Sequence, residues 1–268
     1  MSTTPTTVSL LLPAVSLWQR EVVRFIRQRS RVIGALGTPV VFWLLIGSGL
    51  RNSFRLTAAG DAKSAEMNFL EYSFPGTLVL IVLFTAVFST ISIIEDRREG
   101  FLQAVIAAPV RRSAIVLGKV MGSTTLAVVQ ALLFLMLAPW SGVPLTIGSV
   151  LAQTVVLTIV GVGLSALGFL IAWPMDSTQG FHAVMNLFLI PMWLLSGAFF
   201  PASGASRWLA WVMSVNPLTY GVAAVRNALY VGRDHAATSP SPAVSIAVTI
   251  GFAVVMIVLA GRVATKSG

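Results

Sequence analysis

Residues 74–100 read FPGTLVLIVLFTAVFSTISIIEDRREG. The first 21 of them, Phe74 to Ile94, carry no charge, and the next five, Glu95 to Glu99, are all charged. A helix rises about 1.5 Å per residue and the hydrocarbon core of a bilayer is about 30 Å thick. The run is therefore long enough to cross a membrane and to meet water abruptly where it ends. The rest of the chain repeats the pattern. Of 268 residues, 56% are apolar and only 10% are charged, and mean hydropathy is +0.87. A soluble domain carries about 25% charged residues, so the composition excludes one.

The predicted fold is an all-α membrane protein, one transmembrane domain over residues 1–268. Its six spans are Val32–Leu50, Phe74–Ile94, Ala114–Ala138, Ile147–Trp173, Phe181–Phe200 and Ala243–Val263. Met1 to Thr7 lack the basic start and cleavage site of a secretory leader, so the first apolar run is expected to stay in the membrane. The formal charge is +9, and the basic residues flank apolar runs, which points to the membrane surface and not to nucleic acid. There is no cysteine, so no disulfide and no thiolate metal site. His182 and His235 lie far apart in sequence.

Lysine and arginine favour the cytoplasmic side of a membrane protein. One side collects Arg20, Arg24, Arg27, Arg29, Arg31, Arg97, Arg98, Arg111, Arg112, Lys119, Arg262 and Lys266, which is twelve; the other collects Arg51, Arg55, Lys63, Arg207, Arg226 and Arg233, which is six. Both termini are thereby predicted to be cytoplasmic, in a multi-pass protein of the cytoplasmic membrane.

Ahead of the first span, residues 9–31 predict an amphipathic interfacial helix. Leu11, Val15, Trp18, Val22 and Phe25 form one stripe, and Arg20, Arg24, Arg27 and Arg31 form another roughly opposite. Such a helix either offers a docking surface or serves as a topological anchor. Residues 95–112 predict a cytoplasmic loop holding a short helix that breaks before Pro109. Positive charge alone would set topology; Glu95, Asp96 and Glu99 ask for a further role. Residues 201–230 are too apolar for an ordinary loop and too interrupted for a span. They predict a re-entrant hairpin, read either as an outer gate or as an aromatic belt at the interface. Arg226 is expected to snorkel outward or to find an acidic partner.

The remaining signals point to packing. Gly161, Ser165 and Gly168 share a face that suits close helix approach. Asp176 and His182 read as polar turn residues, and Met185 and Met192 as fillers. A P-loop is absent: Gly118-Lys119 is followed by Val120 and has Ser113 where the first glycine is needed. The spans hold almost no ionisable residue, unlike those of ion-coupled transporters.

From Glu95 to Lys119 the chain resembles the cytoplasmic loop of type-two ABC transporter permeases, the family of antibiotic-resistance, nodulation-factor and polysaccharide exporters. The match lies at Glu95, Glu99, Gly100, Pro109, Arg111, Gly118 and Lys119, with Phe101 where threonine is common. Ser196-Gly197-Ala198-Phe199-Phe200-Pro201 and Asn216-Pro217-Leu218-Thr219 followed by Arg226 resemble two later elements of that family. The resemblance implies a permease that exports an amphipathic substrate. Its implied partners are two cytoplasmic ATP-binding subunits, a second permease copy or paralogue, and membrane lipids. ATP and magnesium would sit in the partner ATPase; this chain would hold no cofactor, no metal and no catalytic residue. It implies docking of the ATPase at Arg20, Arg24, Glu95, Asp96, Arg97, Arg98, Glu99, Gly100, Pro109 and Arg111. It implies an outer gate at Phe199, Phe200, Pro201, Trp208, Trp211, Asn216, Pro217, Tyr220 and Arg226. The competing reading is a membrane anchor or assembly factor that recruits a cytoplasmic partner and transports nothing.

Overall fold

In a computed structural model the described residues are 10–49, 69–143, 145–199, 205–230 and 240–266, with backbone alone for 29–32. Among them every regular element is helical. In order these are α1 (Leu11–Arg27), α2 (Arg29–Gly49), α3 (Phe69–Ser89), α4 (Ile91–Arg98), α5 (Phe101–Ala107), α6 (Arg112–Leu135), α7 (Ile147–Ala172), α8 (Thr178–Trp193), α9 (Arg207–Val215), α10 (Pro217–Leu229) and α11 (Pro242–Lys266).

Among the described residues five helices are long and apolar enough to cross a bilayer: α3 running on into α4, α6, α7, α8 with the turn that follows it, and α11. A sixth crossing is counted if α9 and α10, bent by 79°, form one broken span. These five coincide with the second to sixth predicted spans, while the bent pair, a broken span or a re-entrant loop, lies where the re-entrant hairpin is predicted. The first predicted span falls on α2, whose apolar stretch Ile33–Gly49 is shorter than the others. At about 1.5 Å per residue it reaches only about 26 Å.

α3 is the axis of the bundle and packs against α2, α6, α7 and α10. Its apolar window is 89% buried, against 22% for α11. It has no polar face to turn to lipid or water, which is the pattern of a helix covered on all sides. The hydroxyls of Ser73, Thr77, Ser89 and Thr90 donate to carbonyls of their own helix, so they bury without cost to the bundle. Glycine lets helices touch where lipid offers no hydrophobic drive for association. A Cβ on Gly168 would fall 2.9 Å from Thr90 Oγ1, and one on Gly161 would fall 3.2 Å from Thr124 Cγ2. Ser165 Oγ accepts from Thr124 Oγ1 at 3.2 Å. The small-residue face of α7 is therefore spent inside this chain.

The charged stretch after α3 is helical, not a loop. Phe69–Arg98 holds 30 residues, about 45 Å of helix, so its last turns reach beyond the hydrocarbon. Asp96, Ser92, Ser89 and Thr85 stack on one face of this rod, pointing at α1 and α6.

A buried ion-pair cluster and a short exposed helix

Successive residues on a helix point about 100° apart, so the charges of α4 meet different neighbours. Asp96 points into the bundle and is fully buried. Arg20 of α1 donates to both of its oxygens, at 2.7 and 2.9 Å. Arg24 adds a bond at 2.8 Å, and Lys119 of α6 donates to Asp96 Oδ2. Lys119 also donates to Glu21 of α1 and, at 3.1 Å, to Ser92 Oγ. Ser92 closes the ring by donating to Glu21 Oε2 at 2.7 Å. Glu21, Lys119 and Asp96 are at most 4% exposed. An isolated buried charge costs several kcal/mol; here two carboxylates are offset by the Lys119 ammonium and by the guanidinium groups of Arg20 and Arg24, and each buried member has more than one hydrogen-bond partner. The Arg20 guanidinium, hydrogen-bonded to Asp96, holds its proton more tightly than a free arginine despite partial burial.

Arg20 and Arg24 of the predicted arginine stripe thus face protein, while Arg27, Leu11, Leu12, Val15 and Ile26 are exposed and the side chain of Arg31 lies outside the described residues. Glycines on α6 make the approach possible. A Cβ on Gly118 would fall 2.6 Å from Leu17 Cβ and 2.9 Å from the Ala14 carbonyl, and one on Gly122 would fall 2.7 Å from Glu21 Cβ. Trp18 Nε1 donates to Thr125 Oγ1 at 3.0 Å alongside them.

The other charges of α4 reach outward. Glu95 and Glu99 pair with Arg24 at 3.0 and 3.3 Å. Arg97 donates to the carbonyls of Trp173 and Met175 and pairs with Asp176 at 3.1 Å. Arg98 donates twice to the Asp176 carbonyl. The α7–α8 turn is thereby fastened to the end of α4.

Gly100 joins α4 to α5 at φ +78°, a left-handed conformation that costs glycine nothing. Phe101 lies under the Arg20 guanidinium, 3.7 Å from its ring centre, and Leu102 is buried. These two residues pin the start of α5. Val105 is half-buried against the core, and Gln103, Ala104, Ile106 and Ala107 stand exposed. Ala108 is extended, as a residue before proline prefers, and exposed Pro109 ends the helix. Arg111 is extended and exposed at the start of α6.

Of the predicted docking residues, Asp96 therefore has no surface to offer a partner. Arg20 and Arg24 are turned inward, and Arg97 serves the α7–α8 turn. Arg98, Glu99, Gly100, Pro109 and Arg111 remain accessible. The sequence reading missed Glu21 and the partnership of Lys119 with it. The available signals were one acid in an otherwise basic helix and one lysine in an apolar run between two glycines.

The ABC-2 type transporter family matches residues 14–230. The chain belongs to that family. It is 24% identical over 213 residues to a protein named as a transport permease, ycf38, from Cyanophora paradoxa, covering 78% of this chain and 71% of that one. It is 25% identical over 132 residues to YbhR of Escherichia coli K12, named as a multidrug ABC transporter permease, covering 49% of this chain and 36% of YbhR. It is 27% identical over 168 residues to ABC transporter G family member 20 of Dictyostelium discoideum, covering 61% of this chain and 23% of the relative. Membership makes the chain a multi-pass permease subunit and implies partnership with ATP-binding subunits.

The opposite end of this ABC-2 permease is built differently. α8 ends in a five-residue π-type turn, Leu194–Ala198, in which Gly197 takes φ +77°. The turn frees carbonyls, and neighbouring side chains satisfy them. Tyr72 donates to the Gly197 carbonyl at 3.1 Å and Arg226 at 3.3 Å. The Arg226 guanidinium also lies 4.6 Å from the Tyr72 ring centre. Arg226 thus spends its charge on a carbonyl and a ring, in place of the expected snorkel or carboxylate. Asn216 Nδ2 donates to the Met192 carbonyl at 2.6 Å, while its Oδ1 accepts from Leu218 N and caps α10. Pro217 occupies the first turn of α10, where its missing N–H costs nothing. Thr219 bridges the bend by donating to the Met213 carbonyl at 2.7 Å, and Tyr220 donates to the Ser214 carbonyl at 2.9 Å. Trp208 and Trp211 on α9 are exposed. Phe199 packs among Phe42, Phe69 and Trp193. Phe200 and Pro201 lie outside the described residues.

Proposed function

We propose that this permease is the membrane half of an ATP-driven exporter of amphipathic molecules in the cytoplasmic membrane, with both termini cytoplasmic. A separate ATPase pair docks on the charged end, and a second permease copy or a paralogue completes the pathway. ATP and magnesium belong to the ATPase. The observation that carries this reading is the placement of α5. Its first turn is held on Arg20 and Leu102, its outward face is open, and its base is the buried cluster joining α1, α4 and α6. A push on α5 and Glu99 would reach three helices at once through the ion pairs that Arg20, Glu21, Asp96 and Lys119 share. At the far end, α9 and α10 would form the outer gate, hinged on Asn216 and Pro217 and tied to α8 through Arg226.

Co-purification with the cognate ATPase, followed by ATP turnover in vesicles, tests the docking. Ile106→Glu combined with Gln103→Ala alters only exposed side chains of α5. It is expected to weaken assembly more than about tenfold, since charge in an apolar contact costs more than one decade in affinity. Full assembly and full coupled turnover by that variant would remove α5 from the interface.

A further inference from the structure

At the charged end each acid whose partners have been described is already engaged: Glu21 and Asp96 in the cluster, Glu95 and Glu99 with Arg24, and Asp176 with Arg97. A separate group of cations lies where α6 begins and α11 ends. Arg112 reaches across and donates to the Ala264 carbonyl at 3.0 Å, satisfying one of the acceptors left open at the end of α11. Arg111 is exposed at the start of α6, and Arg262 and Lys266 are exposed together on the last turns of α11, on the face opposite buried Ala264. Among the described residues no carboxylate pairs with Arg111, Arg262 or Lys266. The first turn of α6 also has no side-chain cap, so its amides add positive potential.

We infer that the cationic end of α11 binds the headgroup of an anionic phospholipid. The choice of a lipid over a free anion rests on continuity. Val255, Leu259, Arg262 and Lys266 follow one another at spacings of four, three and four along the outward stripe of α11. Val255 and Leu259 are 51% and 38% exposed. An acyl chain lying along the apolar part of the stripe delivers its phosphate to the cations at the top. A phosphate from bulk solution has no use for that stripe. The site does not depend on which face of the membrane the charged end occupies, nor on the ATPase.

The test uses the full chain in phosphatidylcholine vesicles with spin-labelled phosphatidylglycerol or spin-labelled phosphatidylcholine as probe. The wild-type chain should prefer the anionic probe. A cation at an anionic lipid surface contributes about 1 kcal/mol, roughly fivefold, so Arg262→Gln with Lys266→Gln should lower the preference by at least about fivefold. Arg262→Lys should retain it. Arg207→Gln, an exposed cation on α9, should leave it unchanged. Inorganic phosphate at the same ionic strength as a chloride control should not displace the probe. An unchanged preference in the double variant, an equal loss in Arg207→Gln, or specific displacement by phosphate would each overturn the lipid site. Unchanged elution of every variant as one folded species keeps these readings free of misfolding.

Discussion

The two ends of the bundle solve the same problem with different chemistry. At the charged end, α1, α4 and α6 meet through ion pairs in which every partner is a side chain and several are buried. At the other end, α8, α3 and α10 meet through side chains that donate to backbone carbonyls freed by a π-type turn. Ion pairs are mutual, so removing one member strands another. Carbonyls are neutral and tolerate a lost donor better. The first end should therefore behave as a lock that holds fully or fails, and the second as a hinge whose bonds weaken one at a time.

Variants can break or sharpen this contrast, read as unfolding free energies in detergent micelles. The largest effect is expected from Lys119→Met, which leaves Glu21 and Asp96 short of their buried counter-ion; removing one partner of a buried pair costs about 3–5 kcal/mol. Adding Glu21→Leu to it should recover most of that loss, because Asp96 keeps Arg20 and Arg24 and the swapped pair is apolar. If the double variant is as unstable as the single, the lock is not an ion-pair effect. At the hinge, Arg226→Met should cost about 1.5–3 kcal/mol, the range for a bond from a charged donor. No second variant should be needed to rescue it.

Gly118→Val should cost about 1–3 kcal/mol by overpacking α1 against α6. The same variant should expose α1 to protease while leaving cleavage near α9 unaltered. Tyr72→Phe removes one of two donors to the Gly197 carbonyl and should cost about 0.5–1.5 kcal/mol. Combined with Arg226→Met it should cost more than the sum, since the carbonyl then loses both donors. The smallest effect is expected for Glu99→Gln, whose pair with Arg24 is largely solvated; such pairs contribute about 0.2–1 kcal/mol.

Much of this was legible in the sequence. The apolar run from Phe74 to Ile94 announced a spanning helix, and Gly100 and Pro109 announced a break on each side of a short one. Asn216-Pro217 announced a bend with a cap and a proline in its first turn. The partners were not legible. Lys119 meets Glu21 across 98 positions and Asp96 across 23, and no local pattern relates them. The arginine stripe of α1 looked solvated because helical periodicity says which residues share a face, not what covers that face. A run of charge such as Glu95 to Arg98 marks the edge of the hydrocarbon, not the end of a helix, and helix continues readily beyond it.

The amino-acid sequence alone determined that this chain is a bundle of apolar helices with its charges at the ends, because backbone in lipid must satisfy its own hydrogen bonds and charge is excluded from hydrocarbon. Only the tertiary structure decided that one group of those charges faces inward as a lock while another stays exposed at the end of α11. That choice depends on how closely three helices approach, and the approach is set by the missing side chains of Gly118 and Gly122. Two glycines and a lysine have no preference of their own for such an arrangement; they acquire it when α1 lies down on α6.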